Sequence, residues 1–124
     1  MSDVEQSFER LLGTSTLVSA MRESLSVMLV DLDTSKIKGV TPYCADVFGY
    51  SRNELLGEHI EMLLPEEFRE RHKEYVNEYR NNPRTIRMGD RKLPSVRKDG
   101  SGFTANIWLI PTTNNDVLVV VFDG

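Results

Sequence analysis

The segment VLVVVF at 117–122 is apolar at every position, and this feature constrains the fold more than any other. Successive side chains of a β-strand point to opposite faces of the sheet, so the odd-numbered valines face one way and Leu118, Val120 and Phe122 the other. The segment VMLV at 27–30 has the same character. A sheet that is apolar on both faces must be covered on both. Internal helices can cover one face, and the N-terminal segment or a second copy of the chain must cover the other.

The order of predicted elements indicates an α+β domain with an antiparallel sheet. The segments LSVMLVDL and IKGV, separated by the turn residues DTSK, are predicted to form a hairpin. Short helical segments follow, and Ser51 with Glu54 has the spacing of a capping box. The last forty residues are predicted to contain strands near Thr85–Met88, Leu93–Arg97, Phe103–Ile110 and Asp116–Phe122.

Composition excludes several classes of protein. A chain of 124 residues suits one domain, and its balance of 15 Lys and Arg against 19 Asp and Glu is unlike the basic footprint of a nucleic-acid binder. No apolar run is long enough to span a membrane, and the start MSDVEQ lacks a signal pattern. One cysteine excludes an internal disulfide. We therefore expect a cytoplasmic protein with neither nucleic acid nor membrane among its partners.

The segment LLPEEFRERHKEYVNEY at 63–79 holds one of the two histidines of the chain. At helical spacing, Phe68, His72, Tyr75 and Tyr79 share one face, whereas charged residues occupy most of the other. The histidine is therefore expected to face the interior. Its imidazole is either a ligand to a cofactor or a core side chain with a hydrogen bond.

The runs FGYSRNELLGEHIEMLLP and RKDGSGF resemble those of PAS domains, the small sensory modules of bacterial signalling proteins. The resemblance extends from about Leu25 to Asp123. It implies a five-stranded antiparallel sheet with short helices on its inner face and a pocket between them that holds a cofactor, a metabolite or nothing. It also implies that the outer face packs on a flanking helix and a second protomer.

The chain is accordingly divided into residues 1–24, a flanking and dimerisation helix, and residues 25–124, the PAS domain. We predict a homodimer whose interface combines apolar positions of the first helix with outward-facing positions of one strand. These residues are Val4, Phe8, Leu11, Val18, Trp108 and Ile110.

No arrangement of residues suggests catalysis. There is no His/Cys/Asp constellation, phosphate-binding glycine loop or paired metal-ligand motif. Flavin-binding photosensory PAS domains carry their reactive cysteine after the second internal helix, where this chain reads GEHIEMLL. Cys44 lies earlier and is predicted to be a small packing residue. A flavin cofactor is therefore not expected, and we predict that the chain is not an enzyme.

The region around His72 is also similar to the PAS domain of rhizobial oxygen-sensing haem kinases. That resemblance implies that His72 is the axial ligand of the iron and that Arg91 contacts bound oxygen. The positions that bind the haem propionates in that family fall on Glu78 and Thr85, where basic residues would be wanted. The hypothetical pocket, for haem or another small ligand, comprises His72, Tyr75, Ile86, Arg91, Ile107 and Leu109.

Three functions remain open. The first is a non-catalytic PAS sensory or protein-interaction module that senses through its pocket and signals through dimer packing. The second is a haem-based oxygen or redox sensor with His72 as the metal ligand, and the third is a structural dimerisation domain with a filled core. In each case a C-terminal effector domain or a signalling partner would receive the signal.

Overall fold

The computed structural model describes residues 24–123, apart from the side chain of Met88. Five strands and three α-helices follow one another in the order ββαααβββ, with two 3-10 turns between the second and third helices. The strands are β1 (Val27–Asp31), β2 (Ile37–Val40), β3 (Ile86–Val96), β4 (Gly102–Pro111) and β5 (Asp116–Asp123). The helices are α1 (Pro42–Phe48), α2 (Arg52–Leu55) and α3 (Arg69–Asn81), and the 3-10 turns are Ile60–Leu63 and Glu66–Phe68.

The strands form one sheet in the order β2-β1-β5-β4-β3, and every neighbouring pair is antiparallel. This confirms the predicted five-stranded antiparallel sheet. The inner face of the sheet packs against the helices in one core that includes Met28, Ile107 and Val121 from the strands and Phe48 and Leu55 from the helices. The predicted positions Val4, Phe8, Leu11 and Val18 lie outside the described residues.

Local signals place the helices as the sequence predicts. Thr41 caps α1 by accepting a hydrogen bond from the Cys44 N–H, and Gly49 ends it in the left-handed region. Ser51 and Glu54 form the predicted capping box at the start of α2. The region predicted as one helix from Pro65 begins instead as a 3-10 turn and becomes α-helical at Arg69.

The prediction of two separate strands near 85–88 and 93–97 is wrong, because both belong to the single strand β3. Ile86 pairs with Leu109 and Arg91 pairs with Ile107. Between these two pairs the chain advances by five residues in β3 but by only two in β4. The three extra residues form a bulge in which Gly89 has a φ of 91°. The polar run around Asp90 marks this bulge and not a break between strands.

The outer face of the sheet is apolar and partly exposed. Trp108 and Phe122 are 40% and 44% exposed, although both are large and hydrophobic. The strand register places them with half-buried neighbours on one surface. We call this surface the outer apolar face; it consists of Val27, Leu29, Trp108, Ile110, Leu118, Val120 and Phe122.

Gly100→Val is expected to lower the free energy of unfolding by about 1 kcal/mol or more, because Gly100 has a φ of 89° in the turn between β3 and β4. Chemical denaturation would measure the loss. The control is Gly102→Val in the same hairpin, since Gly102 lies in β4 and has no positive φ. A Cβ at that position would approach no closer than 3.7 Å, to the carbonyl oxygen of Ser95. Equal losses for both variants would contradict a conformational origin.

Candidate functional site

A cavity of about 120 Å³ lies between α3 and the inner face of the sheet. Its walls are mostly apolar and come from the strands, α1, α3 and the first 3-10 turn. The principal apolar contributors are Met28, Val30, Phe48, Ile60, Leu63, Val76, Leu93, Ile107, Leu109, Val119 and Val121. The polar contributors are Asp31, Ser35, His72, Tyr75, Tyr79, Arg91 and Ser95.

The structure brings five of the six predicted pocket residues to this cavity: His72, Tyr75, Arg91, Ile107 and Leu109. Ile86 differs, because it is buried in the core opposite Leu109 but does not line the cavity.

His72 carries a buried polar atom without a partner. Its Nδ1 is inaccessible to solvent, and no group among residues 24–123 forms a hydrogen bond with it. Burial lowers the pKa of His72, an effect that Glu61 opposes and that the positive charge of Arg91 reinforces. The imidazole is therefore favoured in its neutral form, in which one ring nitrogen donates and the other accepts.

Arg91 bridges β3 and α3 through an aromatic contact. Its guanidinium carbon lies 4.5 Å from the centroid of the Tyr75 ring, a cation–π distance. The Tyr75 hydroxyl accepts a hydrogen bond of 3.2 Å from Arg71 Nε. Within residues 24–123, Arg91 forms no ion pair and no hydrogen bond through its side chain. Its N–H groups are therefore available at the cavity.

The bulge in β3 explains how Arg91 reaches this position. Strict alternation from Ile86 would direct Arg91 to the outer face, because the two residues are five positions apart. The three extra residues change the register, so that Arg91 pairs with Ile107 as Ile86 pairs with Leu109. Directly paired residues share a face, and Arg91 therefore lies over the cavity.

Several features of the described residues disfavour a haem group. The cavity of about 120 Å³ is below the range of roughly 300–1,000 Å³ that is usual for cofactor pockets. Glu78, at a predicted propionate position, forms a 3.0 Å ion pair with Arg84, and Thr85 is exposed. Arg80 donates hydrogen bonds to the backbone carbonyls of the turn after β1. Neither arginine is thus free for a propionate, and Arg87, a third arginine that could replace the missing partners, is exposed and does not line the cavity.

Cys44 is buried in the core and does not line the cavity. Burial raises the pKa of its thiol to about 11, so the thiol is protonated at neutral pH. This placement agrees with a packing role. Residues 24–123 contain no group of three or more His, Cys, Asp or Glu side chains that could hold a metal ion.

Among the polar cavity residues, Tyr79 was predicted only to face the interior, and Asp31, Ser35 and Ser95 were not predicted from the sequence at all. Asp31 closes the turn after β1, because its Oδ1 accepts hydrogen bonds from the N–H groups of Asp33 and Thr34 at 2.8 and 2.9 Å. Ser35 has a φ of 60° in the same turn. The D-x-D-T pattern of an Asx turn, at residues 31–34, was the available signal for this turn. Ser95 has no comparable signal.

Lowering the pH is expected to destabilise the wild-type protein more than His72→Leu. The folded-state pKa of His72 lies below its ordinary value of 6.5, so the unfolded state binds a proton first as the pH falls. The titration of His72 therefore does not affect the free energy of unfolding above about pH 6.5 and lowers it as the pH falls from there towards the folded-state pKa. Denaturation curves between about pH 8 and about pH 5 would measure this. Parallel pH dependence in both proteins would contradict it.

The sheet order, the helices on one face and the cavity between them define a class of small α+β domains with an internal pocket. The family model described as "PAS fold" matches residues 16–123. The chain belongs to the PAS family, whose members are sensory domains of signalling proteins and typically carry no catalytic chemistry. No helix within residues 24–123 is long and apolar enough to cross a membrane.

Two curated proteins are similar to this chain. The oxygen sensor protein DosP of Escherichia coli K12 is 28% identical over 83 residues, which are 66% of this chain and 10% of DosP. The sensor protein FixL of Bradyrhizobium diazoefficiens is 35% identical over 63 residues, 49% of this chain and 12% of FixL. The match therefore spans about a tenth of the length of each relative.

Solved structures show the same fold. The PAS domain of an HTR-like protein from Haloarcula marismortui has a TM-score of 0.69 and 19% identity, covering 97% of this chain and 99% of that one. An RNA-binding Light-Oxygen-Voltage receptor has a TM-score of 0.74 and 18% identity, covering 87% of this chain and 32% of that one. At these identities, the likeness concerns the fold alone.

Proposed function

We propose that this domain is a non-catalytic sensory module that detects a small molecule in the cavity beneath α3. The observation that carries this proposal is the buried Nδ1 of His72, which has no hydrogen-bond partner within residues 24–123. Leaving such an atom unpaired costs about 1–3 kcal/mol. A bound ligand that pairs with Nδ1 would remove this cost, so a histidine at this position suits recognition better than packing.

The surroundings of His72 support the same proposal. A mostly apolar cavity with a few convergent polar groups is the usual form of a small-molecule site. Here the convergent groups are His72 and Arg91, which come from α3 and β3. A ligand bound in the cavity would therefore contact both α3 and β3, and β3 is an edge strand of the sheet.

Native mass spectrometry of the protein purified from cells would test the proposal. We expect a fraction of the wild-type protein to carry a small molecule that is absent from His72→Leu. Ligand extraction followed by mass analysis would identify it. A bound mass equally frequent in both proteins would contradict recognition through His72.

Haem is a second candidate, because the chain is similar to the oxygen sensor protein DosP, and His72 on α3 and Arg91 on β3 both line the cavity. The cavity volume and the engaged Arg80 and Arg84 do not support it. The small-ligand proposal therefore takes precedence.

The purified protein is expected to be colourless and to show no Soret band after incubation with hemin, because the cavity is too small and Arg80 and Arg84 are engaged. Absorption spectroscopy measures this directly. His72→Ala is the control, since non-specific hemin binding would give the same spectrum in both proteins. An intense Soret band in the wild type that disappears in His72→Ala would overturn the small-ligand proposal in favour of haem.

We also propose that the signal leaves the domain through a homodimer formed on the outer apolar face. Exposed Trp108 and Phe122 support this, because large contiguous apolar patches on a soluble domain usually mark an interface. The predicted amphipathic segment 1–24 would form part of the same interface. An effector domain or a signalling partner would then receive the change in dimer packing.

A further inference from the structure

We propose that the cavity recognises a small monocarboxylate with a compact apolar body, of about the size of benzoate, whose carboxylate binds Arg91. This inference deepens the proposed function, since it names the chemical class of the ligand. It rests on the unpaired donors of Arg91, on the unpartnered Nδ1 of His72, and on the volume and apolar character of the cavity.

The aromatic contact of Arg91 leaves its hydrogen-bonding edge free. The guanidinium carbon lies over the Tyr75 ring, 4.5 Å from the ring centroid, and this contact uses none of the N–H donors in a hydrogen bond. Its N–H donors lie in the plane of the group and form a fork that matches a carboxylate. No carboxylate among residues 24–123 pairs with them. Tyr75 thus holds the guanidinium in place while its fork remains available.

His72 supplies a second polar contact at the same cavity. A neutral imidazole can carry its proton on either ring nitrogen. With the proton on Nδ1, the buried and unpartnered atom becomes a donor to an oxygen of the ligand. The cavity would then satisfy both oxygens of one carboxylate.

The acidic residue of the cavity does not oppose an anion at Arg91. Asp31 lies on β1, which is separated from β3 by β5 and β4. Three strand spacings amount to roughly 14 Å. The Asp31 carboxylate is also occupied by the N–H groups of Asp33 and Thr34. A carboxylate bound at Arg91 would therefore lie much closer to this cation than to the Asp31 carboxylate.

The volume limits the rest of the ligand. This cavity of about 120 Å³ is somewhat smaller than the apolar protein cavity of about 150 Å³ that accommodates benzene, so one six-membered ring is the upper limit for the buried part of the ligand. Benzoate adds only a carboxylate to that ring, and the added group would extend to Arg91. The apolar walls disfavour a second charge, because burying an unpaired charge is strongly unfavourable. A dicarboxylate therefore fits less well than a monocarboxylate.

The test titrates the full chain with three probes at neutral pH and follows amide signals by NMR. Benzoate provides both the ring and the charge, benzamide provides the same shape without the charge, and acetate provides the charge without the ring. We expect benzoate to bind at least about tenfold more tightly than either of the other probes, because it alone combines a charge-assisted contact with a buried ring. Shifts are expected at cavity residues such as Tyr75 and Leu93.

The variants isolate the contribution of Arg91. Arg91→Gln is expected to weaken benzoate binding about tenfold or more and to leave benzamide binding nearly unchanged. Arg91→Lys keeps the charge without the fork and is expected to have an intermediate effect. Arg87→Gln is the matched control, because Arg87 is an exposed arginine on the same strand. The NMR spectrum of each free variant verifies that it is folded.

The outcomes separate this inference from the function on which it rests. Equal affinity for benzoate and benzamide, or equal losses from Arg87→Gln and Arg91→Gln, would overturn carboxylate recognition and leave a small-molecule pocket in place. If no probe shifts a cavity signal and native mass spectrometry finds no bound molecule, both proposals are wrong.

Discussion

Replacing His72 by leucine is expected to raise the free energy of unfolding by about 1 kcal/mol while removing ligand recognition. The gain follows because leucine has a similar volume and no polar atom, whereas the buried Nδ1 of His72 has no hydrogen-bond partner within the part of the chain described. For a domain of this size, that gain corresponds to a rise in melting temperature of roughly 4–8 °C. Thermal and chemical denaturation of the ligand-free proteins would measure it.

His59→Leu is the matched control, because the structure gives the two histidines opposite roles. His59 is exposed, and its Nδ1 accepts a 3.1 Å hydrogen bond from the Glu61 N–H at the start of the first 3-10 turn. Losing this cap is expected to destabilise the domain by about 0.5–1 kcal/mol. A loss of stability in His72→Leu as well would show that His72 has a structural partner, and the main reason to expect a ligand would then disappear.

Trp108→Glu is expected to convert a homodimer into a monomer. Trp108 lies near the middle of the outer apolar face, and removing a central aromatic anchor from an interface typically costs about 2–4 kcal/mol, before the added cost of a charge. That loss corresponds to at least a roughly thirtyfold weaker dimer. Analytical ultracentrifugation at micromolar concentration would measure the change in mass.

Tyr43→Glu provides the control for this experiment. Tyr43 is 45% exposed, close to the value for Trp108, but lies on α1 in the helical layer. We expect Tyr43→Glu to remain dimeric. A monomeric wild type would contradict the proposed homodimer. A dimer that persists in Trp108→Glu would place the interface elsewhere.

The helical spacing of the aromatic residues and His72 predicted which side of α3 faces the interior. This prediction succeeded because several neighbouring residues each give the same information. His72, Tyr75 and Tyr79 all line the cavity, as their shared helical face indicates. Each of these positions separately favours the same orientation of the helix, and the charged residues opposite agree. An error at one residue would not have changed the result.

The orientation of Arg91 could not be predicted from alternation because of the bulge in β3. In a strand, a single inserted residue exchanges the two faces for every residue that follows. The sequence has a glycine at position 89, where a bulge can form, but it does not give the number of extra residues, and that number depends on pairing with β4. The face of Arg91 is therefore a property of two strands together.

Long-range polar contacts were also beyond sequence reasoning. Arg80 on α3 donates a 2.8 Å hydrogen bond to the carbonyl of Asp33, which is 47 residues earlier in the chain. The Nε of Arg80 also donates to the carbonyl of Leu32, which is 48 residues earlier. Backbone carbonyls exist at every position, so no side-chain pattern identifies the acceptor. Because Arg80 forms these bonds, its side chain is not available to a charged group of a cofactor.

The central place of β5 in the sheet has a consequence for synthesis on the ribosome. The β1–β2 and β3–β4 hairpins are each local in sequence, but they are joined in the sheet only by β5, the last strand to be made. Until β5 emerges, the nascent chain holds two half-sheets whose inner edges lack a partner. Unpaired strand edges of this kind promote aggregation. The domain should therefore reach its folded state only after translation of β5, and the interval before that is when a chaperone would matter most.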